Sequence, residues 1–493
     1  MTEEIQDIFD EIRNIMQPDM DCTARYHALD ALLLRALKDR TRHSPVDFTH
    51  TAARLHWLCK QTGHPSHPLE VFRARAGRIQ KGLFLPDGED EAYDLKAVCE
   101  GLAAFYQTHV PEDVQKRLPR HWRPAPAPAE KVPQAKRIRI TVHRWDEHFI
   151  YGKDHTHPTE QLLKVEYTDE TDRTFADLKE QLYEGAQLNL LSVKTIKAEG
   201  AYPYVLKPEM LVLDPDFLID ITALCACIKP YGYSAYTHLL NKFAPPARSA
   251  AIQLGNAANQ FLDDCVNENR DLERAKTSEN EVFRLGSAER ERFIQNRDLE
   301  REDRACPESA GRERFIQNAD GTAEAELYLR SMQNSFRISP LAWSTLPDID
   351  RDFFNRCEMQ FRHIRQTVRN SFSAAGIDIR KTEVELEPSF LCEALGLQGR
   401  MDLLTRNADK LVELKSGKAD EYPYRSPKDE HRLQMALYKE ILYYNLDRRH
   451  EQVQSYLFYS RYPGLYAVDV PRSHIRRVMA LRNAILHIEL RLR

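Results

Sequence analysis

The chain has 493 residues, 42% hydrophobic and 29% charged, which is more than one ordinary core holds and points to about two to four domains. No uninterrupted apolar run is long enough to span a bilayer; the greasiest stretch, MLVLDPDFLIDITALCACI, is broken by Asp214, Asp216 and Asp220. The formal net charge of −5 excludes a global electrostatic pull toward nucleic acid and leaves that role to local patches.

The N-terminus, MTEEIQDIFDEIRN, is acidic and lacks the basic segment of a secretory leader. Nine scattered cysteines without a CxxC pair read as reduced thiols, not a disulfide framework, so a cytoplasmic location is expected. Residues 1–118 read as a helical domain: Ile5, Ile8, Phe9, Ile12 and Ile15 fall at helical spacing, as do Leu29, Leu32, Leu33 and Leu37. Residues 119–136 read as a linker, because Pro124, Pro126, Pro128 and Pro133 fix an extended backbone.

From 137 to 220 the pattern turns strand-like in RIRITVHRW, QLLKVEYTD, LNLLSVKTI and YPYVLKPEMLVL, which predicts a small OB-like β-barrel. Residues 221–493 form the last predicted domain, with an amphipathic helix after Pro246. Within it lies a charged insertion at about 266–325, where RERFIQN occurs at Arg290–Asn296 and again at Arg312–Asn318. Two copies are too few for a solenoid, so the insertion is assigned a structural or linker role.

The stretch Leu395 to Lys418, LGLQGRMDLLTRNADKLVELKSGK, has hairpin grammar but carries Asp402, Glu413 and Lys415 among aliphatic residues. Side chains alternate faces along a strand, so Glu413 and Lys415 share one side while Leu414 points to the other, and the preceding strand delivers Asp402 across the hairpin. Two carboxylates that must both stay ionised call for a hard cation, Mg²⁺ or Mn²⁺. Such an ion activates water and offsets charge on a phosphodiester oxygen, with the lysine assisting, which is nuclease chemistry. In the helix predicted over DEHRLQMALYKEILYYN, Gln434 and Tyr438 are one turn apart on a stripe that reaches the same place. His431 and Arg432 add donors for a DNA backbone. ExK alone arises by chance in any charged protein, whereas GRMD, ELKSG and QxxxY in this order are far more specific.

GRMDLL, VELKSGK and HRLQMALY resemble the motifs of the PD-(D/E)xK nuclease superfamily, in its RecB-like branch, and are most similar to the nuclease domains of flap-trimming replication nuclease–helicases. The resemblance implies a multidomain α/β (α+β) chain with a restriction-endonuclease-like core, a mixed sheet flanked by helices, behind the barrel and the helical domain. It covers about 137–493, with strong motifs only from 396 to 438. On it, Asp402 and Glu413 ligate metal, Lys415 assists the attacking water, and Gln434 and Tyr438 are the accessory catalytic pair.

Three departures matter. Relatives carry GxxxH early in this domain; here LGNAANQ supplies Gly255 but places Asn259 where the histidine ligand would be, a poorer donor for soft ions. Glu387 in VELEPSF occupies the position of a further acidic ligand. No cysteine follows Cys392, so the four-thiolate iron–sulfur cluster of some relatives is not expected, and Cys225 and Cys227 read as core thiols. No phosphate loop GxxxxGK[ST] is present, which implies a helicase domain or subunit elsewhere. The last 33 residues carry seven arginines against Asp469 and Glu489, and Arg476 and Arg477 are candidates for DNA contact. The expectation is a metal-dependent deoxyribonuclease on single-stranded, end or flap DNA, working beside a helicase in repair, replication or defence. The competing expectation is a catalytically weakened nucleic-acid-binding or assembly subunit; RNA as substrate is a weaker third.

Overall fold

The computed structural model describes residues 3–492 apart from 45–47, 49, 123–134, 199, 245–248, 285–311, 347–348, 378–383 and 422–424; for 3–6, 269–284 and 312–322 it describes the backbone alone. Most of the linker and the first RERFIQN copy therefore lie outside the described residues.

Six helices build the N-terminal domain: α1 (Glu3–Ile15), α2 (Cys22–Arg40), α3 (Thr51–Thr62), α4 (His67–Gln80), α5 (Gly88–Phe105) and the short α6 (Glu112–Gln115). Asp21 caps α2 by accepting from the N–H groups of Thr23 and Ala24, and Gly63 ends α3 at φ 69°, a left-handed turn that suits glycine. The predicted periodic positions Ile8, Phe9, Ile12, Ile15, Leu29, Leu32, Leu33 and Leu37 all face one core with Phe72, Val98 and Leu102.

The barrel strands are β1 (Ala135–Trp145), β2 (Phe149–Asp154), β3 (Leu163–Glu166), β4 (Gln187–Lys197), β5 (Tyr204–Lys207) and β6 (Met210–Leu213), with α7 (Leu178–Gln181) between β3 and β4. Strands β1 to β5 close in the order β1-β2-β3-β5-β4-β1, and β6 adds to β4. All these pairings are antiparallel except β3 with β5. The barrel's last strand ends at Leu213. Residues Ile219–Asp220 (β7), assigned to the barrel from sequence, instead pair in parallel with Leu397 and Gln398 of the next domain.

After α8 (Ile221–Cys225), the hairpin β8 (Ile228–Lys229) and β9 (Gly232–Tyr233), and α9 (Tyr236–Phe243), the long α10 (Ala250–Arg284) leads into the insertion and α11 (Arg312–Ile338) returns from it. The insertion thus begins and ends as helices, and its second RERFIQN copy lies in α11. Next come α12 (Arg351–Gln366) and the strands β10 (Val384–Leu386), β11 (Ser389–Cys392), β12 (Leu397–Arg400), β13 (Leu403–Thr405) and β14 (Lys410–Lys415). Helix α13 (Asp429–Leu446), β15 (Gln454–Tyr459), β16 (Tyr466–Val468) and α14 (Arg472–Arg491) complete the chain.

The main sheet has the order β10-β13-β14-β15-β16 and is mixed, since β14 and β15 run parallel. It is covered on both faces. Leu404, Leu411 and Leu457 pack toward Leu433, Leu437 and Ile441 of α13 and Val478 of α14. Leu403, Val412, Leu414 and Phe458 pack toward Phe261 of α10 and Phe361 of α12. Period-2 alternation therefore sorts β14 between two cores, with no solvent face. Among the described residues no helix is long and apolar enough to cross a membrane.

Arg482 of α14 joins barrel to sheet. Its side chain is fully buried at 0% exposure, and its guanidinium donates to the carbonyls of Leu213, Asp214 and Phe217 after β6, and to that of Gly396. Asn483 beside it bonds both the Leu211 carbonyl (2.9 Å) and the Leu213 N–H (3.0 Å). Gly396, at φ 60°, has no room for a Cβ, which would fall 2.3 Å from Arg482 Nη2. Each buried carbonyl left without a donor costs about 1–3 kcal/mol, so Arg482→Ala is expected to destabilise the chain by about 3 kcal/mol or more and Gly396→Ala to lower its melting temperature too. Thermal melts of both variants against the wild type check this.

Candidate active site

The strand β14 carries Glu413 and Lys415 on the face that α13 covers, opposite Val412 and Leu414. Glu413 is therefore buried (4% exposed), unlike the acid on an open edge that a bare hairpin would give. Its Oε1 accepts from Lys415 Nζ at 2.8 Å and from Gln434 Nε2 at 2.8 Å. Its Oε2 is buried and has no hydrogen-bond partner among the described residues.

Asp402 lies between β12 and β13, and its Oδ2 accepts the Leu414 N–H at 2.7 Å. Withdrawal from water, then the Glu413 charge, pushes its carboxyl well above the usual range, against the opposing pull of Lys415. Burial works against the Lys415 ammonium, but Glu413 and Asp402 outweigh it and its pKa is raised. The three side chains predicted to converge do so.

Gln434 and Tyr438, one turn apart on α13, complete the cluster. Gln434 Nε2 also lies 3.0 Å from the Tyr438 hydroxyl, which donates to the Arg400 carbonyl at 2.6 Å. This fastens α13 to the end of β12, directly before Asp402. The glycine of GRMD has its reason here, because a Cβ on Gly399 would stand 3.0 Å from the Tyr438 ring.

Glu387 sits in a left-handed conformation (φ 52°), uncommon for a non-glycine residue, and its N–H donates to the Asp402 carbonyl at 3.0 Å. Its backbone is thus held beside Asp402, while its carboxylate pairs with Arg400 at 3.0 Å. Asn259 is partly exposed on α10, on the i, i+4 stripe that begins at Gly255, where a Cβ would meet Ser416 Oγ at 3.2 Å. That contact sets the start of the stripe against the end of β14.

The same stripe continues to Asp263, which the sequence reading missed. Its carboxyl is raised to about 7 by burial and by the charges of Glu387 and Asp264, with Arg400 opposing. Glu387 likewise raises Asp402, so the charges of Glu387 and Glu413 bear on the two raised aspartates. The available signal was the four-residue step from Asn259.

The DNA-contact assignments fare differently. His431 packs its Nδ1 2.8 Å from the Tyr459 hydroxyl, and burial together with Lys415 and Lys428 lowers its pKa to about 3. It is neutral near pH 7 and brings no charge to a phosphate. Arg476 is committed to the fold: Nε donates to the Glu209 carbonyl at 2.7 Å and the guanidinium pairs with Asp172 of the barrel. Arg482, one of the seven arginines counted near the C-terminus, is wholly internal. Arg432 donates to the Asp469 carbonyl at 3.3 Å from a partly exposed position, and Arg477 is exposed beside the Tyr233 ring. Cys225 and Cys227 are buried.

No protein-family model matches the chain, and no curated protein does.

The raised Asp263 carboxyl has a signed consequence for stability. An unfolded aspartate titrates near ~3.9, so between that pH and about 7 the folded chain keeps a proton that the unfolded chain has lost. The contribution is full below the lower value and is lost as pH rises through the upper one. Asp263→Asn is expected to flatten the decline and to melt higher than the wild type at pH 8. Melting curves from pH 4 to pH 8 in chelator check both.

Proposed function

We propose that the chain is a metal-dependent DNA nuclease with a restriction-endonuclease-like core of the RecB-like branch, hydrolysing phosphodiester bonds of single-stranded, end or flap DNA. The observation that carries the reading is the orphaned, buried Glu413 Oε2, while Lys415 and Gln434 occupy the other oxygen and the Glu413 charge is felt by the Asp402 carboxyl. A buried carboxylate oxygen without a donor is costly, and a cation relieves it. The donor set consists of hard oxygens, which suits Mg²⁺ or Mn²⁺.

Asp402 and Glu413 would hold the ion, with Glu387, Asp263 and Asn259 on the flank. When bound, a divalent ion supplies an activated water and offsets charge on the phosphate. The protein's own part is positional. Gln434 fixes the rotamer of Glu413 through Oε1, and Tyr438 fixes the Arg400–Met401 peptide, one residue before Asp402. Lys415, hydrogen-bonded to Glu413 Oε1, would assist the attacking water and stabilise developing charge. The barrel order β1-β2-β3-β5-β4 supports the OB-like reading of the preceding domain. A helicase partner and a cytoplasmic setting complete the proposal.

Labelled single-stranded and flapped DNA, with Mg²⁺ or Mn²⁺, is the substrate for the test. Lys415→Ala is expected to cut slower by about 10²-fold or more, with DNA affinity within threefold of the wild type. Equal cutting rates would sink the assignment, and tight DNA binding by a wild type that never cuts would favour the assembly-subunit reading.

A further inference from the structure

Far from Asp402 along the chain, three distant segments bring two histidines and a glutamate together where the helical domain meets the barrel. His56 of α3, Glu70 of α4 and His143 of β1 each offer one ligand atom, and these atoms lie within 4.8 Å of one another. His56 Nε2 faces His143 Nδ1 at 3.2 Å, with the rings edge to face. His143 Nε2 and Glu70 Oε1 are 3.5 Å apart, and both are buried without a hydrogen-bond partner among the described residues. Bonds of about 2.0–2.1 Å to a tetrahedral ion place neighbouring ligand atoms about 3.3 Å apart. The two contacts use different nitrogens of His143, only one of which can bind a given ion; one ligand atom from each residue lies within 4.8 Å of the others, close enough for an ion to draw the three together.

The outer contacts point the same way. His56 Nδ1 lies 3.5 Å from Glu184 Oε1, and Lys60 holds the other Glu184 oxygen at 2.8 Å. This places a carboxylate beside the outer nitrogen of His56, where it could steady the ring while Nε2 faces His143. Glu70 Oε2 accepts from the buried Lys153 at 2.9 Å, which orients the carboxylate with Oε1 toward the histidines. Two imidazoles and one carboxylate favour zinc over the magnesium class.

We propose that His56, Glu70 and His143 form a zinc site, closed by a water, that ties the N-terminal helical domain to the barrel. On binding, the His56–His143 contact gives way to two metal–nitrogen bonds and the orphaned Glu70 Oε1 gains a partner. The site is independent of the nuclease reading and shares no residue with it.

The test is a zinc titration of the full chain after removal of metal, by competition with a chromophoric chelator, with cobalt(II) substitution read from its visible absorption. The wild type is expected to take one zinc of at least micromolar affinity outside the acidic cluster, and to show cobalt bands of four-coordinate intensity. His56→Ala and His143→Ala are expected to lose that zinc. Glu184→Gln, a mild change at a partly exposed carboxylate, is expected to weaken it about 10-fold, and Glu413→Gln to leave it intact. Absence of saturable zinc binding by the wild type overturns the proposal, as does binding undiminished in His56→Ala and Glu184→Gln.

Discussion

A carboxylate withdrawn from water inside a two-faced sheet is the constraint around which the C-terminal half is organised. Glu413 occupies a position where alternation along β14 would otherwise place a leucine, and helix α13 covers it. Burying such a charge is tolerable only with partners close by. Lys415 comes from the same strand face, and Gln434 from the helix that seals the site. Tyr438 then ties that helix to the residue before Met401 and Asp402, and Gly399 exists in the bulk-free form that this approach requires. The spacing Gly399, Asp402, Glu413, Lys415, Gln434, Tyr438 is in this sense one packing solution, and its sequence conspicuousness follows from how few side chains can satisfy it.

What could be read from the chain was what depends on local periodicity. The helical stripe from Ile8 to Leu37 and the β-branched and aromatic runs of β1 and β4 each reflect a constraint that acts within about ten residues. The convergence of Asp402 with Glu413 was legible for the same reason, since a short hairpin fixes its own register. Charge was not legible in this way. Arg476, Arg477 and Arg482 sit within one turn or two of the same helix, yet one pairs with Asp172, one reaches solvent and one is sealed among backbone carbonyls. Which face of α14 meets the barrel is a tertiary fact that no window of α14 contains. The lowered pKa of His431 was equally hidden, because it comes first from burial and then from Lys415 of the sheet and Lys428.

Long-range assembly also hid the sites that sequence reading did not suggest. Asp263 acquires its perturbed carboxyl from burial and from Glu387, over 120 positions onward, and the His56–Glu70–His143 group draws on two domains. Neither has a spacing that stands out from background. The assignment of Ile219–Asp220 to the barrel erred for a related reason: strand propensity identifies an extended segment but not the sheet that will accept it.

The engagement of α14 with the barrel has a temporal side. The carbonyls of Leu211 and Leu213 in β6, and of Asp214 and Phe217 beyond it, find their donors in Arg482 and Asn483, 265 to 272 positions later. At ribosomal speeds of about 5–20 residues per second, the barrel exit emerges roughly 13–54 s before its buried guanidinium. During that interval a nascent barrel must keep those acceptors hydrated, so the junction is set last, when α14 arrives to expel the water and lock two already shaped halves together.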